Sequence, residues 1–216
     1  MAGFTCEAIK SVVGQLMSSC ALKDIIYVAG GIVPYLCTAE DSGRMHSDID
    51  IVAANADMPI IRQYLQSTGL YQSDYDSLEF GYNTGRVDYG IEAFIQGIPV
   101  SFAPFDVQGS VIIQRNFSKL ELAGFDALMT VTMRGIAIED YITSHEIEGM
   151  RIGTYTLEMV KCTKETTGRD KDIRDIQEIE NYGIDQERYL RIKPAIQAMT
   201  LDALTPDEVQ SSPIER

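Results

Sequence analysis

The chain has no tryptophan, two histidines, and only 18 Lys and Arg residues against 32 Asp and Glu. Each shortage closes off a class of function. A formal net charge of −14 argues against a surface made to hold a phosphate backbone, because nucleic-acid binding leaves a basic footprint. Local basic patches stay compatible with it. The four cysteines, Cys6, Cys20, Cys37 and Cys162, form no C-x-x-C pair, and with so few histidines a zinc site is not expected. Reduced thiols in the cytoplasm are the default for such a chain, and burial, not chemistry, is the expectation for Cys37. No apolar run reaches the roughly 18 residues that span a bilayer, so no membrane partner is expected. The opening stretch MAGFTCEAIKSVVGQLMSSC lacks a basic leader followed by an apolar block and does not read as a secretion signal.

What is present is enough hydrophobic sequence, 45% of 216 residues, for a substantial core. The most informative stretch is IIYVAGGIVPYLCTAEDSGRMHSDIDIVA, from Ile25 to Ala53. It reads as an apolar strand, a Gly30-Gly31 turn opening a short helix, a polar loop and a second strand bearing Asp48 and Asp50. Side chains alternate along a strand, so the two acids share one face while Ile49 and Ile51 point to the core. Side-by-side carboxylates repel, and a divalent cation removes that cost. Mg²⁺ takes one or two protein carboxylates and completes its shell with water and phosphate oxygens. A glycine turn at a helix start lets backbone N–H groups approach a phosphate.

Around this stretch, Thr5 is placed to cap a first helix, and Asp57 and Pro59 to open another that ends near Gly69. The runs VDYGIEAFI and IPVSFAPFDV, broken by Gln96-Gly97, predict a hairpin. With VIIQRNF and ALMTVTMRGIAI the sheet is expected to reach about residue 138. YQSDYDSLEFGYNTG reads as a loop or irregular strand. Beyond Glu139 the pattern turns helical: EDYITSHEIE as a short helix, a second from Gly153-Thr154, a third over RDKDIRDIQEIENYG, a fourth from Asp185, and a lightly packed tail. The expected fold class is therefore α/β (α+β), a mixed sheet flanked by helices, with a sheet domain over 1–138 and a helical region over 139–216 packed on it.

A glycine pair, a helix and Asp-apolar-Asp on the next strand resemble the signature of the DNA polymerase beta-like nucleotidyltransferase superfamily. The likeness is greatest to its aminoglycoside, lincosamide and abortive-infection toxin branches. The matching residues are Gly30, Gly31, Arg44, Ser47, Asp48 and Asp50, with surplus length in the loop TAEDSG. Further on, KCTKETTGRDKDIRDI resembles a helical motif of the toxin branch through Lys161, Arg169, Asp172 and Asp175. The resemblance implies that Lys161 and Arg169 neutralise triphosphate charge, and that Asp172 and Asp175, three apart on one helix face, bind one partner together. Read by itself, RDKDIRD is a solvated face laced with ion pairs. His46 reads as loop structure.

The resemblance implies an enzyme in which Asp48 and Asp50 hold Mg²⁺, a nucleoside triphosphate lies on the glycine turn, and a hydroxyl of an acceptor attacks the alpha phosphate. A small molecule or protein is favoured as acceptor, a tRNA end is possible, and the toxin branch adds an antitoxin partner. It also implies a third carboxylate in the middle of IPVSFAPFD, where Ser101 stands. Asp88, Glu92 and Asp106 are the nearby substitutes. The competing expectation is a protein of the same fold that binds nucleotide or a partner without transfer.

Overall fold

The computed structural model describes residues 3–38, 43–79, 87–118, 127–147, 149–170 and 172–204. Helix α1, Cys6–Met17, is capped as expected, the Thr5 hydroxyl accepting the Ala8 N–H at 3.2 Å. Its stripe of Ile9, Val12, Val13 and Leu16 is buried completely or nearly so, worth about 1.5–3 kcal/mol per side chain relative to exposure. Strand β1, Ile26–Ala29, leads through a single 3-10 turn, Gly30–Ile32, into α2, Val33–Thr38. Strand β2, Ile49–Ala54, runs antiparallel to β1 and places Asp50 opposite Ala29. Helix α3, Met58–Ser67, carries Pro59 in its first turn, where the missing N–H costs nothing. Asp57 occupies its N-cap, but the side chain makes no capping bond.

Strands β3, Ile91–Ile95, and β4, Ile98–Gln108, form the hairpin expected at Gln96-Gly97, with both turn residues at positive φ. Strands β5, Val111–Ser118, and β6, Ala127–Arg134, extend the sheet. Past residue 138 the structure departs from the expectation. Only Ile138–Tyr141 is helical (α4), and Ile142–Ile147 and Met150–Tyr155 are strands β7 and β8. Gly153 opens no helix. It lies inside β8, where a Cβ would stand 2.7 Å from the Ile26 carbonyl oxygen, so glycine is what allows β8 to lie against β1. Helix α5, Leu157–Thr167, follows, N-capped by Thr156 and stopped by left-handed Gly168. Helices α6, Asp172–Tyr182, and α7, Gln186–Gln197, complete the helical region, and β9, Thr200–Leu204, returns to pair with β6.

Among the described residues the sheet has nine strands in the order β7-β8-β1-β2-β4-β5-β6-β9, with β3 on β4. The pairs β1–β8 and β2–β4 are parallel and the rest antiparallel, so the sheet is mixed and flanked by helices, as expected. Three of its strands come from beyond residue 138. No helix among the described residues is long and apolar enough to cross a membrane. Most of the loop TAEDSG, the second half of YQSDYDSLEFGYNTG and the tail after residue 204 lie outside the described residues.

Candidate active site

Strands β1 and β2 bring the glycine turn and the acids together. Gly30 adopts φ +70, and a Cβ there would fall on the Asp50 carboxylate, so turn and acid are fitted to one another. Asp48 is two residues earlier, and its Oδ1 accepts the Ser47 hydroxyl at 3.0 Å. Both acids line one cavity of about 720 Å³, within the range of small-molecule sites. Gly30, Gly31, Arg44, Ser47 and Arg169 line the same cavity. Residues separated by up to 139 positions thus converge on one place.

Behind the wall lies a charge network. Asp175 is fully buried and accepts the Arg44 guanidinium at 2.6 Å and the Tyr35 hydroxyl at 3.0 Å, while pairing with Lys164. Asp172, equally buried, accepts Arg169 Nε at 2.8 Å, Lys164 Nζ at 2.9 Å and the Thr167 hydroxyl at 3.0 Å. Burial opposes the Asp172 charge, but the Arg169 and Lys164 hydrogen bonds outweigh it and hold its carboxyl well below the usual range. The same hydrogen bond, with the charge of Asp50 nearby, raises the Arg169 guanidinium further above its ordinary value. The two acids do grip one partner together, but that partner is Lys164 of the chain itself. With no exposed surface of their own, they cannot reach a ligand. They pair with Arg44, Lys164 and Arg169, all three of which line the cavity.

Lys164, which the resemblance does not single out, lines the cavity. Lys161 does not line the cavity: its ammonium binds Glu165 at 3.0 Å and Glu180 at 2.9 Å and sits over the Tyr189 ring. The reason is helix phase. Val160, Thr163 and Lys164 of α5 face the cavity, whereas Lys161 and Glu165 turn toward α7. His46 is buried, with Nε2 3.3 Å from the Cys6 sulfur and its ring edge-on to Tyr35, and it also lines the cavity. Burial pushes the Cys37 thiol up to about 12, with Glu158 adding to it, so it stays protonated and inert.

No family model matches the chain, and no curated protein does. Solved structures do. The lincosamide antibiotic adenylyltransferase LnuA, with lincomycin bound, aligns at TM-score 0.53 and 12% identity over 84% of this chain and all of that one. ANT(2")-Ia in complex with adenylyl-2"-tobramycin aligns at 0.54 and 12% over 88% and 98%. The chain has the nucleotidyltransferase fold.

The sequence resemblance sets its implied third acid at Ser101. Ser101 of β4 sits beside Asp50 in the parallel register and lines the cavity. Glu92 is its antiparallel partner on β3, so Asp50, Ser101 and Glu92 form one row across three strands. Glu92 is buried and does not line the cavity. Asp106 lies five residues beyond Ser101, on the opposite face, held by Arg115 at 2.5 Å. Asp88 is taken by Arg62 at 2.5 Å, alongside Asp76. Among the described residues no three His, Cys, Asp or Glu side chains gather as a metal-holding group. Asp48 and Asp50, both on the cavity wall, are the carboxylates that would hold a divalent cation whose shell is completed by phosphate oxygens.

Proposed function

We propose that this chain is a Mg²⁺-dependent nucleotidyltransferase that moves a nucleoside monophosphate from a nucleoside triphosphate to a hydroxyl of a small molecule. One observation carries the reading: the Gly30 turn, the acids Asp48 and Asp50 and three cations held in place by buried acids meet in a single cavity. The triphosphate lies along the Gly30-Gly31 backbone, with Arg44, Lys164 and Arg169 offsetting its charge. Lys164 does so as a point charge, and Arg169 as a planar fork. Asp48 and Asp50 would hold the cation, which supplies Lewis acidity at the alpha phosphate and the departing pyrophosphate. The chain's own share is positioning, which is most of what phosphoryl transfer asks of a protein.

A cavity of about 720 Å³ is of the size that small-molecule sites have, and this favours a small acceptor over a protein or a tRNA end. Of the two structural neighbours, one is bound to lincomycin and the other to adenylyl-2"-tobramycin, both small hydroxyl-bearing molecules. An antitoxin remains an expectation of the sequence resemblance only. Ser101 motivates a second reading, binding without transfer, because a serine hydroxyl neither holds Mg²⁺ as a carboxylate does nor takes a proton at neutral pH.

Thermal melting with each of the four nucleoside triphosphates, with and without Mg²⁺, tests the binding step. A ligand at 100 times its Kd stabilises by about 2.7 kcal/mol, a rise of roughly 5–11 °C for a chain of this size. That rise should need Mg²⁺ and vanish in Asp48→Asn/Asp50→Asn. A rise that survives the double substitution removes the metal site. Pyrophosphate release in the presence of hydroxyl-bearing acceptors then separates transfer from binding alone.

A further inference from the structure

The cavity has a second end, and its chemistry differs from the first. The cations and both acids on its wall, Arg44, Lys164, Arg169, Asp48 and Asp50, come from the β1–β2 segment and from α5 with the turn after it. The residues supplied by β4, β5, β6 and the segment before β9 include Gln114, Asn116, Val131, Met133 and Met199, and none of the residues from those elements ionises.

At this end the amides have a fixed orientation. The Tyr155 hydroxyl lies 2.6 Å and the Tyr141 hydroxyl 2.8 Å from Gln114 Oε1, and the two phenols are 2.9 Å apart. Burial pushes both phenols up, so each keeps its proton and at least one donates to Gln114. With Oε1 committed as acceptor, Gln114 Nε2 donates to Asn116 Oδ1 at 2.8 Å. The Asn116 carbonyl is thereby used, and its NH₂ is left as a donor with no partner among the described residues. Strand alternation and register put Gln114, Asn116 and Val131 on one face, so this donor stands beside an apolar wall.

We infer that this end is the acceptor subsite, and that it takes an uncharged, hydroxyl-bearing molecule whose oxygen accepts from Asn116 Nδ2 and whose apolar flank lies on Val131, Met133 and Met199. The inference rests on the nucleotidyltransferase reading above. A charged acceptor would shed water there without a counter-charge, and a polycation would find no acid besides the pair already assigned to Mg²⁺. Gln114 is a positioning residue, held by the tyrosine pair. Asn116 is the specificity residue.

The test is a ligand-observed NMR titration of the full chain with Mg²⁺ and a non-hydrolysable ATP analogue. The probes are butyl glucoside, its 2-amino analogue and its uronic acid analogue. The neutral glucoside should bind at least about tenfold more tightly than either charged probe, since an unpaired buried charge is penalised. Asn116→Asp should bring the amino probe to or above the affinity of the glucoside, and Asn116→Leu should weaken the glucoside while leaving ATP-analogue binding unchanged. Equal binding of the three probes, no binding of the glucoside, or an unaltered ranking in folded Asn116→Asp overturns the inference. If Asn116→Asp does not fold, the wild-type ranking decides. Failure of the ATP analogue to bind overturns the underlying reading instead, whereas nucleotide binding without the ranking overturns the subsite alone.

Discussion

Asp175→Asn should be costly even though it changes no shape. Asp175 has no exposed surface and receives Arg44 at 2.6 Å, Lys164, and the Tyr35 hydroxyl at 3.0 Å. Asparagine fills the same volume and can still accept from Tyr35, so no cavity opens. What disappears is the charge that two buried cations share. Removing one partner of a buried ion pair costs about 3–5 kcal/mol. Asp172 keeps its hold on Lys164 at 2.9 Å, so the lower end applies, about 3 kcal/mol. At about 2–4 °C per kcal/mol for a chain of this length, Tm should fall by roughly 6–12 °C. Circular dichroism or calorimetry reads this directly, and added salt should restore little because the pair is screened from solvent. Arg44→Met and the double variant complete a cycle whose coupling should be at least about 1 kcal/mol. A loss under about 2 °C, or single effects that simply add, would refute the view that buried acids hold the site's cations in place.

Asp172 makes stability depend on acid. Its folded pKa lies below the ordinary 3.8, so its contribution is full above that value and is lost as pH falls toward the folded one. Wild-type Tm should therefore decline more steeply than that of Asp172→Asn once pH drops below about 4–5; parallel curves from pH 6 to 2 would argue otherwise. Gly30→Ala should lose more than the roughly 1–2 kcal/mol of a left-handed alanine, because its Cβ meets Asp50. Gly69→Ala, at φ +71 with open space around it, should lose only that conformational cost, and equal Tm losses in the two variants would count against the fitted turn. Lys164→Met should weaken Mg²⁺-ATP binding by tenfold or more, about 1.4 kcal/mol, in an isothermal titration. Lys161→Met should leave the same affinity within about twofold, and a reversal of the two would reassign the cation.

The parts of the molecule legible in the sequence are those set by short-range backbone physics. The Thr5 cap and the Gln96-Gly97 hairpin each need only a few neighbouring residues to be specified, and the approach of Gly30 to Asp50 needs only the pairing of two consecutive strands. Strand β7 was hidden because ITSHEI is half-buried at the sheet edge and lacks clean alternation, and an acidic start at Glu139-Asp140 imitates a helix opening. Strand β8 was hidden by Gly153, whose reason for being glycine is the approach of β1, a partner more than 120 positions away. The choice between Lys161 and Lys164 turns on how α5 is rotated against the sheet. Both lysines lie within one helical turn, and only tertiary packing separates them. The orientation of Asn116 likewise depends on tyrosines from α4 and β8 that no local pattern ties to β5.

The most direct test counts the cation itself. Mn²⁺ can replace Mg²⁺ at oxygen ligands, and electron paramagnetic resonance reports how much of it is bound when the protein is titrated in the presence of ATP. The wild-type chain should bind one additional Mn²⁺ per molecule, and Asp50→Asn should weaken that binding by about tenfold or more, the equivalent of 1.4 kcal/mol. Identical Mn²⁺ and ATP binding in the two proteins would contradict the claim that Asp48 and Asp50 cooperate around a metal in front of the glycine turn.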